Sequence, residues 1–202
     1  MPTVKKITVY KFRELSEQAK EKALEKLYNI NTDYDWFDTE FYDAKEIGKL
    51  MGIDIKDIHF TGFSSQGDGA CFTGNYQYKK GSVKAVKDYA PLDIRLHNIA
   101  EGLAAVQRKF LYGISANVKH RGHYSHKYCT DINITITQNG YEIAYSSDDE
   151  TIISELLRDF MDRIYRQLEK QYEYLTSKKA IQETIEINNY EFTADGAIFI
   201  QK

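Results

Sequence analysis

The sequence predicts an α+β fold, mainly an antiparallel sheet of hairpins covered by several helices, including one long C-terminal helix. Three features point there: alternating apolar segments bounded by glycines, helical stripes between them, and a long apolar series at helical spacing near the C-terminus. The chain has 202 residues, 42% of them hydrophobic, enough for a sizeable core. No linker composition interrupts it, so 1–202 is read as a single α+β domain.

Thr3 to Tyr10 alternates as a strand, and Ser16 has the chemistry of an N-cap for a helix carrying Ala19, Ala23, Leu24 and Leu27. Thr32 or Asp33 is expected to cap a second helix, in which Phe37, Phe41, Ala44, Ile47 and Met51 share a face and which Gly52 ends. Ile55 to Phe63 and Ala70 to Tyr78 read as a hairpin. Pro91 opens or precedes a helix with a stripe of Leu92, Leu96, Ile99, Leu103 and Phe110, closed by Gly113. Ile114, Ala116 and Val118 alternate, as do Ile132, Ile134 and Ile136, which predicts a second hairpin, with Asn139-Gly140 as a further turn. The longest helix is expected over about Asp148 to Leu175. Its stripe is Ile153, Leu156, Leu157, Phe160, Ile164, Leu168 and Tyr172, and Asp148, Asp149 and Glu150 suit the positive end of its dipole. At about 1.5 Å per residue it extends roughly 42 Å, enough to cover a small sheet. The chain ends in a hairpin turning at Ala194-Asp195-Gly196.

Composition excludes several function classes. A net charge of −3 and a pI near 6.0 give no general field for phosphates, so strong generic DNA binding is not expected. No apolar run is long enough to cross a bilayer and no leader is recognisable, which predicts a cytosolic protein without a membrane partner. Cys71 and Cys129 lack CxxC spacing and read as small buried hydrophobes. Tyrosine is abundant, with 16 Tyr beside 10 Phe, and can bury a ring while presenting a hydroxyl at an interface.

Three segments are candidates for function. In Ser64-Ser65-Gln66-Gly67-Asp68-Gly69 the serines have no adjacent histidine and no GxSxG spacing, and no Walker lysine follows. The loop is read as a turn in which Gly67 and Gly69 supply positive φ and Asp68 hydrogen-bonds, presenting Ser64, Ser65 and Gln66 for contact. The second segment holds His120, Arg121, His123, Tyr124 and His126. Its imidazoles can ligate a metal, with His59, His97, Asp68 or Asp131 completing the set; its basic and aromatic side chains can instead hold a nucleotide, or the loop is simply solvated. A single return helix between the hairpins tends to set their loops at opposite sheet ends, which argues against a composite catalytic site. Neither a metal nor a cofactor is expected, and no catalytic residue is assigned. The third is an acidic aromatic helix face, with Trp36, Asp38 and Tyr42 outward and suited to a basic partner.

The segments 7-ITVYKFRELSEQAKEKALEKL-27, 33-DYDWFDTEFYDAKEIG-48, 60-FTGFSSQGDGACFTG-74, 118-VKHRGHYSHKYCTD-131 and 155-ELLRDFMDRIYRQLEKQYEYLTS-177 together resemble a family of small proteins of tailed phages and prophages, commonly left hypothetical or labelled antitoxin-like. The resemblance spans nearly the whole chain and implies an accessory phage protein acting in the host bacterial cytoplasm. The expected function is binding and inhibition of a host protein, such as a toxin or an antiphage-defence component. The alternatives are a nucleotide or nucleic-acid processing enzyme, metal-assisted through His120, His123, His126 and Asp68, or a protein that sequesters a nucleotide without turnover.

Overall fold

The computed structural model describes residues 6–200. It has the expected α+β architecture, with a five-stranded antiparallel sheet, a separate two-stranded one, and a helix of 29 residues. Thr3 to Lys5 of the first predicted strand lie outside the described residues; of the remainder, residues 6–9 form no strand and only Tyr10 falls in β1, Tyr10–Lys11.

By contacts the chain forms two compact units, one built from its two ends, up to Phe37 and from Lys170 onward, the other from Asp38–Glu169. In the end-built unit, α1 (Glu17–Lys26) starts at Ser16, whose hydroxyl accepts the Ala19 N–H. That helix packs with α6 (Lys178–Ile187), capped in the same way by Ser177, and with β1 paired antiparallel to β7 (Glu191–Phe192). Phe12, Leu15, Ala23, Leu24, Ile181, Ile185 and Phe192 form its core. The closing turn is present, with Gly196 donating to Thr193 and a bridge from Phe192 to Ile198.

The second helix begins later than its capping residues suggest. Residues 27–32 follow turns closed by Ile30 N–H to Leu27 O and Thr32 N–H to Asn29 O. Buried Asn31 fixes them there, donating to Leu175 O at 2.9 Å and accepting from the Thr184 hydroxyl at 2.7 Å. These tertiary bonds override the local cap, and α2 spans Asp38–Met51.

In the second unit, β2 (Ile53–Thr61) and β3 (Gly69–Gln77) form the first hairpin, and β4 (Ile114–His120) and β5 (Thr130–Gln138) the second; β6 (Tyr141–Glu142) follows the Asn139-Gly140 turn. The sheet order is β2-β3-β4-β5-β6. The core joins Phe72, Tyr76, Ile114, Ala116, Val118, Ile134 and Ile136 from the strands to Ile153, Leu157, Phe160 and Ile164 of α5 (Ser147–Leu175). Phe72 meets Phe160 edge to face at 6.0 Å, a geometry that suits the ring quadrupoles.

The connection from β3 to β4 sets where the loops fall. It holds two helices, α3 (Ser82–Tyr89) and α4 (Ile94–Lys109), packed together as a helical hairpin. One helix would carry the chain to the far end of the sheet; two bring it back, so β4 runs antiparallel to β3 in the register Gly74 to Val118. The buried side chain of Gln107 fixes this return, donating to Ile114 O at 2.8 Å and accepting the Ile114 N–H at 3.2 Å. The β2–β3 and β4–β5 loops therefore lie at the same sheet end, contrary to the expectation of opposite ends.

Candidate functional site

The first loop is held by one carboxylate. Asp68 Oδ2 accepts the N–H of Ser64 at 2.8 Å and of Ser65 at 2.7 Å, the intraloop role expected for this residue. Phe63 anchors the loop from beneath, 5.1 Å from Phe60 and 5.5 Å from Tyr165, whose hydroxyl donates to Gly62 O at 3.2 Å. Burial and the neighbouring Glu169 and Asp68 carboxylates raise the Tyr165 phenol above its ordinary range, which keeps it a donor.

The second loop is equally self-contained. His120 donates Nε2–H to Tyr124 O at 2.8 Å, Arg121 N–H bonds Cys129 O at 2.8 Å, and Thr130 donates to Lys127 O at 2.7 Å. Tyr128 N–H donates to His126 Nδ1 at 3.2 Å, so the neutral imidazole carries its proton on Nε2. Cys129 Sγ lies 3.3 Å from Nε2 and 3.6 Å from Nδ1. Near-equal distances put the sulfur over the ring face, out of line with the in-plane N–H, so the two groups are in packing contact and no proton passes between them. This half-buried pair corrects the reading of Cys129 as a buried hydrophobe, whereas Cys71 is fully buried, its thiol pushed up to about 12 by burial and by Cys129.

The loops meet at the two glycines. A Cβ on Gly69 would sit 2.6 Å from His126 Cα, and one on Gly67 would overlap the Tyr124 ring, with Cε1 at 2.7 Å. Neither glycine has positive φ, which corrects the expectation for both: the absent side chains make room for the second loop instead of permitting a left-handed backbone. Nearby, His59 of β2 and His120 of β4 stack at 4.3 Å, and burial followed by the His120 charge lowers the His59 pKa. Thr61, Ser65, Gln66, Gly67, Asp68, Tyr124 and His126 line an open cleft of about 720 Å³, and the buried hydroxyl of Thr61 has no hydrogen-bond partner.

Of the predicted residues, this end of the sheet unites Ser64, Ser65, Gln66, Asp68, His120, Arg121, His123, Tyr124 and His126. Ser64, Ser65, Gln66, His123 and Tyr124 are exposed; Arg121 is exposed as well and paired with Asp131 at 3.2 Å. The three histidines take separate roles: His120 stacks, His126 lies beside Cys129, and His123 faces solvent. No group of three or more His, Cys, Asp or Glu among the described residues is placed to hold a metal ion. The third predicted surface is not one patch within a unit. Trp36 is half-buried in the end-built unit, 5.8 Å from Phe37 and 5.7 Å from Tyr172, while Asp38 and Tyr42 are exposed on α2 of the sheet unit.

Sequence reasoning missed Thr61 and Tyr165, which lie on regular elements and carry no local motif; His59, named there as a possible metal ligand, stacks on His120 instead. For Cys129 a signal existed, its i+3 spacing from His126 in a short loop. No helix among the described residues is long and apolar enough to cross a membrane. No curated protein and no solved structure matches the chain. Residues 36–178, which take in the whole sheet unit and both loops, match the domain of unknown function DUF8835, and the chain belongs to that family.

Proposed function

We propose that this chain is a phage-encoded accessory protein of the host bacterial cytoplasm that binds and inhibits a host protein, such as a toxin or an antiphage-defence component, through the joined loop end of its sheet. The observation that carries the reading is the glycine-mediated packing of the two loops, Gly67 on Tyr124 and Gly69 on His126, which makes them one preorganised surface. Preorganisation limits the entropy lost on binding. The groups that chemistry would need are committed elsewhere: Asp68 accepts from two amides and His126 Nδ1 from Tyr128, and among the described residues no imidazole is hydrogen-bonded to Ser64 or Ser65. The phage setting rests on the resemblance of the SQGDGACF and HRGHYSHKYC segments.

The test is capture from host lysate, with mass spectrometry of the captured protein and of any metal or nucleotide that co-purifies. Gln66→Ala and His123→Ala should each weaken capture while thermal unfolding is unchanged within error, because both side chains are exposed on loops fixed by backbone bonds. Equal capture by both folded variants would reject this surface.

A second reading, nucleotide binding, has its own support. The Tyr124 and His126 rings are nearly parallel, 18° apart, beside a cleft within the size range of small-molecule sites, and the unpartnered Thr61 hydroxyl lines it. A stoichiometric co-purifying nucleotide, lost in Tyr124→Ala, would favour it over the protein partner.

A further inference from the structure

Leu92 was expected in the buried stripe of α4 but is 92% exposed. Asp93 is the N-cap, accepting the Leu96 N–H, so the helix starts after Leu92 and leaves it on the turn from α3. It is not isolated. Ile94 is 64% exposed, Tyr89 49% and Tyr42 67%. One buried cation gathers the elements that carry them: Arg163 of α5 donates through Nε to Asp93 Oδ2 at 3.0 Å and lies 3.8 Å from Asp43 of α2, while the Tyr89 hydroxyl donates to Asp43 at 2.7 Å. Tyr42, Tyr89, Leu92 and Ile94 thus crown a corner whose base is fixed by charge-assisted hydrogen bonds, and exposed apolar side chains brought together mark contact surfaces.

Charge decides what such a surface accepts. Asp38, Glu40, Asp43 and Glu46 all lie on α2. The cations around the corner are mostly bound already: Lys49 to Glu46, Lys84 to Asp88, Lys87 to Glu101 and Arg95 to Asp162. Partial burial first, and then the Asp43 carboxylate, hold Glu40 above the usual carboxylate range, against the opposing pull of Arg163. An anionic lipid surface would be repelled by the same groups.

We infer that this corner docks a basic segment of a partner protein, seating an apolar side chain on Leu92 and Ile94 and a lysine or arginine beside Glu40 and Asp43. The inference rests on the reading of the chain as a partner-binding protein, but it concerns a surface separate from the loop end. Flanking cations then orient the segment while the apolar contact holds it.

The experiment titrates the full isotope-labelled chain with a synthetic Lys/Leu amphipathic peptide and, separately, with its Glu/Leu counterpart, following amide shifts. The Lys/Leu peptide should shift residues 38–46 and 89–95 and the Glu/Leu peptide should not. Leu92→Ser with Ile94→Ser should weaken binding about tenfold or more, and Glu40→Gln should weaken it less and flatten its salt dependence. Leu92 and Ile94 are exposed and Glu40 is half-buried, and Leu111→Ser, another exposed leucine, is the control expected to bind normally. Shifts elsewhere, or undiminished binding by the double variant, would overturn the inference. So would binding of phosphatidylglycerol vesicles at this corner, or self-association abolished by Leu92→Ser. No host partner or loop residue enters this assay, so its failure leaves the loop reading standing, and failure of loop-dependent capture leaves the corner standing.

Discussion

Gly67 and Gly69 in the first loop and Gly122 in the second are all loop glycines, yet they are glycine for opposite reasons. Gly67 and Gly69 have ordinary backbone angles and no room, because the second loop lies directly on them. Gly122 has φ +83° and nothing within 4 Å of where a Cβ would stand. The first pair is fixed by a tertiary contact, the other by its own turn. One loop is thus shaped to receive the other, and the receiving side carries the constraint that joins them into a surface.

The comparison breaks most visibly at Gly69. A valine there drives methyl groups into the His126 backbone, which cannot swing away as a side chain could, so the loops must part. The expected cost is about 3 kcal/mol, the upper end of overpacking penalties. Denaturant unfolding of Gly69→Val measures it, and a loss below about 1 kcal/mol would mean that the loops do not pack as described.

At Gly67 the obstacle is a side chain, and an exposed one. Gly67→Ala should cost about 1–2 kcal/mol, and Tyr124→Ala in the same protein should recover most of that, because the double variant removes the ring the new methyl meets. An additive double-mutant cycle would assign the cost to the loop's own conformation. Gly122→Ala should cost about 1 kcal/mol through the left-handed backbone alone, less as Gly122→Asn, and should add independently to Tyr124→Ala. Coupling between Gly122 and Tyr124 would blur the distinction between the two loops.

The same distinction separates what could be read from the sequence and what could not. The long helix was legible almost to the residue, expected over 148–175 and found at Ser147–Leu175, because one stripe of apolar residues and an acidic first turn agree. Both hairpins were legible from alternation. Helix α3 was missed because it buries only Val86, and α6 because its short Ala180, Ile181, Ile185 face follows a much stronger helix. Missing α3 then misplaced the loops, since one helix more or fewer in the crossover exchanges the sheet ends. The two-unit organisation leaves no trace in composition, because one unit is closed by both chain ends and its boundary falls within α5. For the site, the residue types were visible, but the contact that unites them depends on strands far apart in sequence.

The smallest effects are expected at Ser64 and Ser65, where they carry the most information about mechanism. Asp68 holds these residues through their backbone N–H groups, not their hydroxyls, so Ser64→Ala and Ser65→Ala leave that interaction intact. Stability should change by less than about 0.5 kcal/mol, as for other surface substitutions. Partner affinity should fall by about 0.5 to 1.5 kcal/mol at most, the net worth of one exchangeable hydrogen bond. A nucleophilic serine would behave differently: its alanine variant would bind normally and lose product formation by orders of magnitude. A single-turnover assay against nucleotides and RNA separates the cases. Retained binding with abolished turnover would make the first loop a reaction centre, in which the packing at Gly67 and Gly69 positions a nucleophile; a modest, parallel loss in affinity alone would leave it a contact surface.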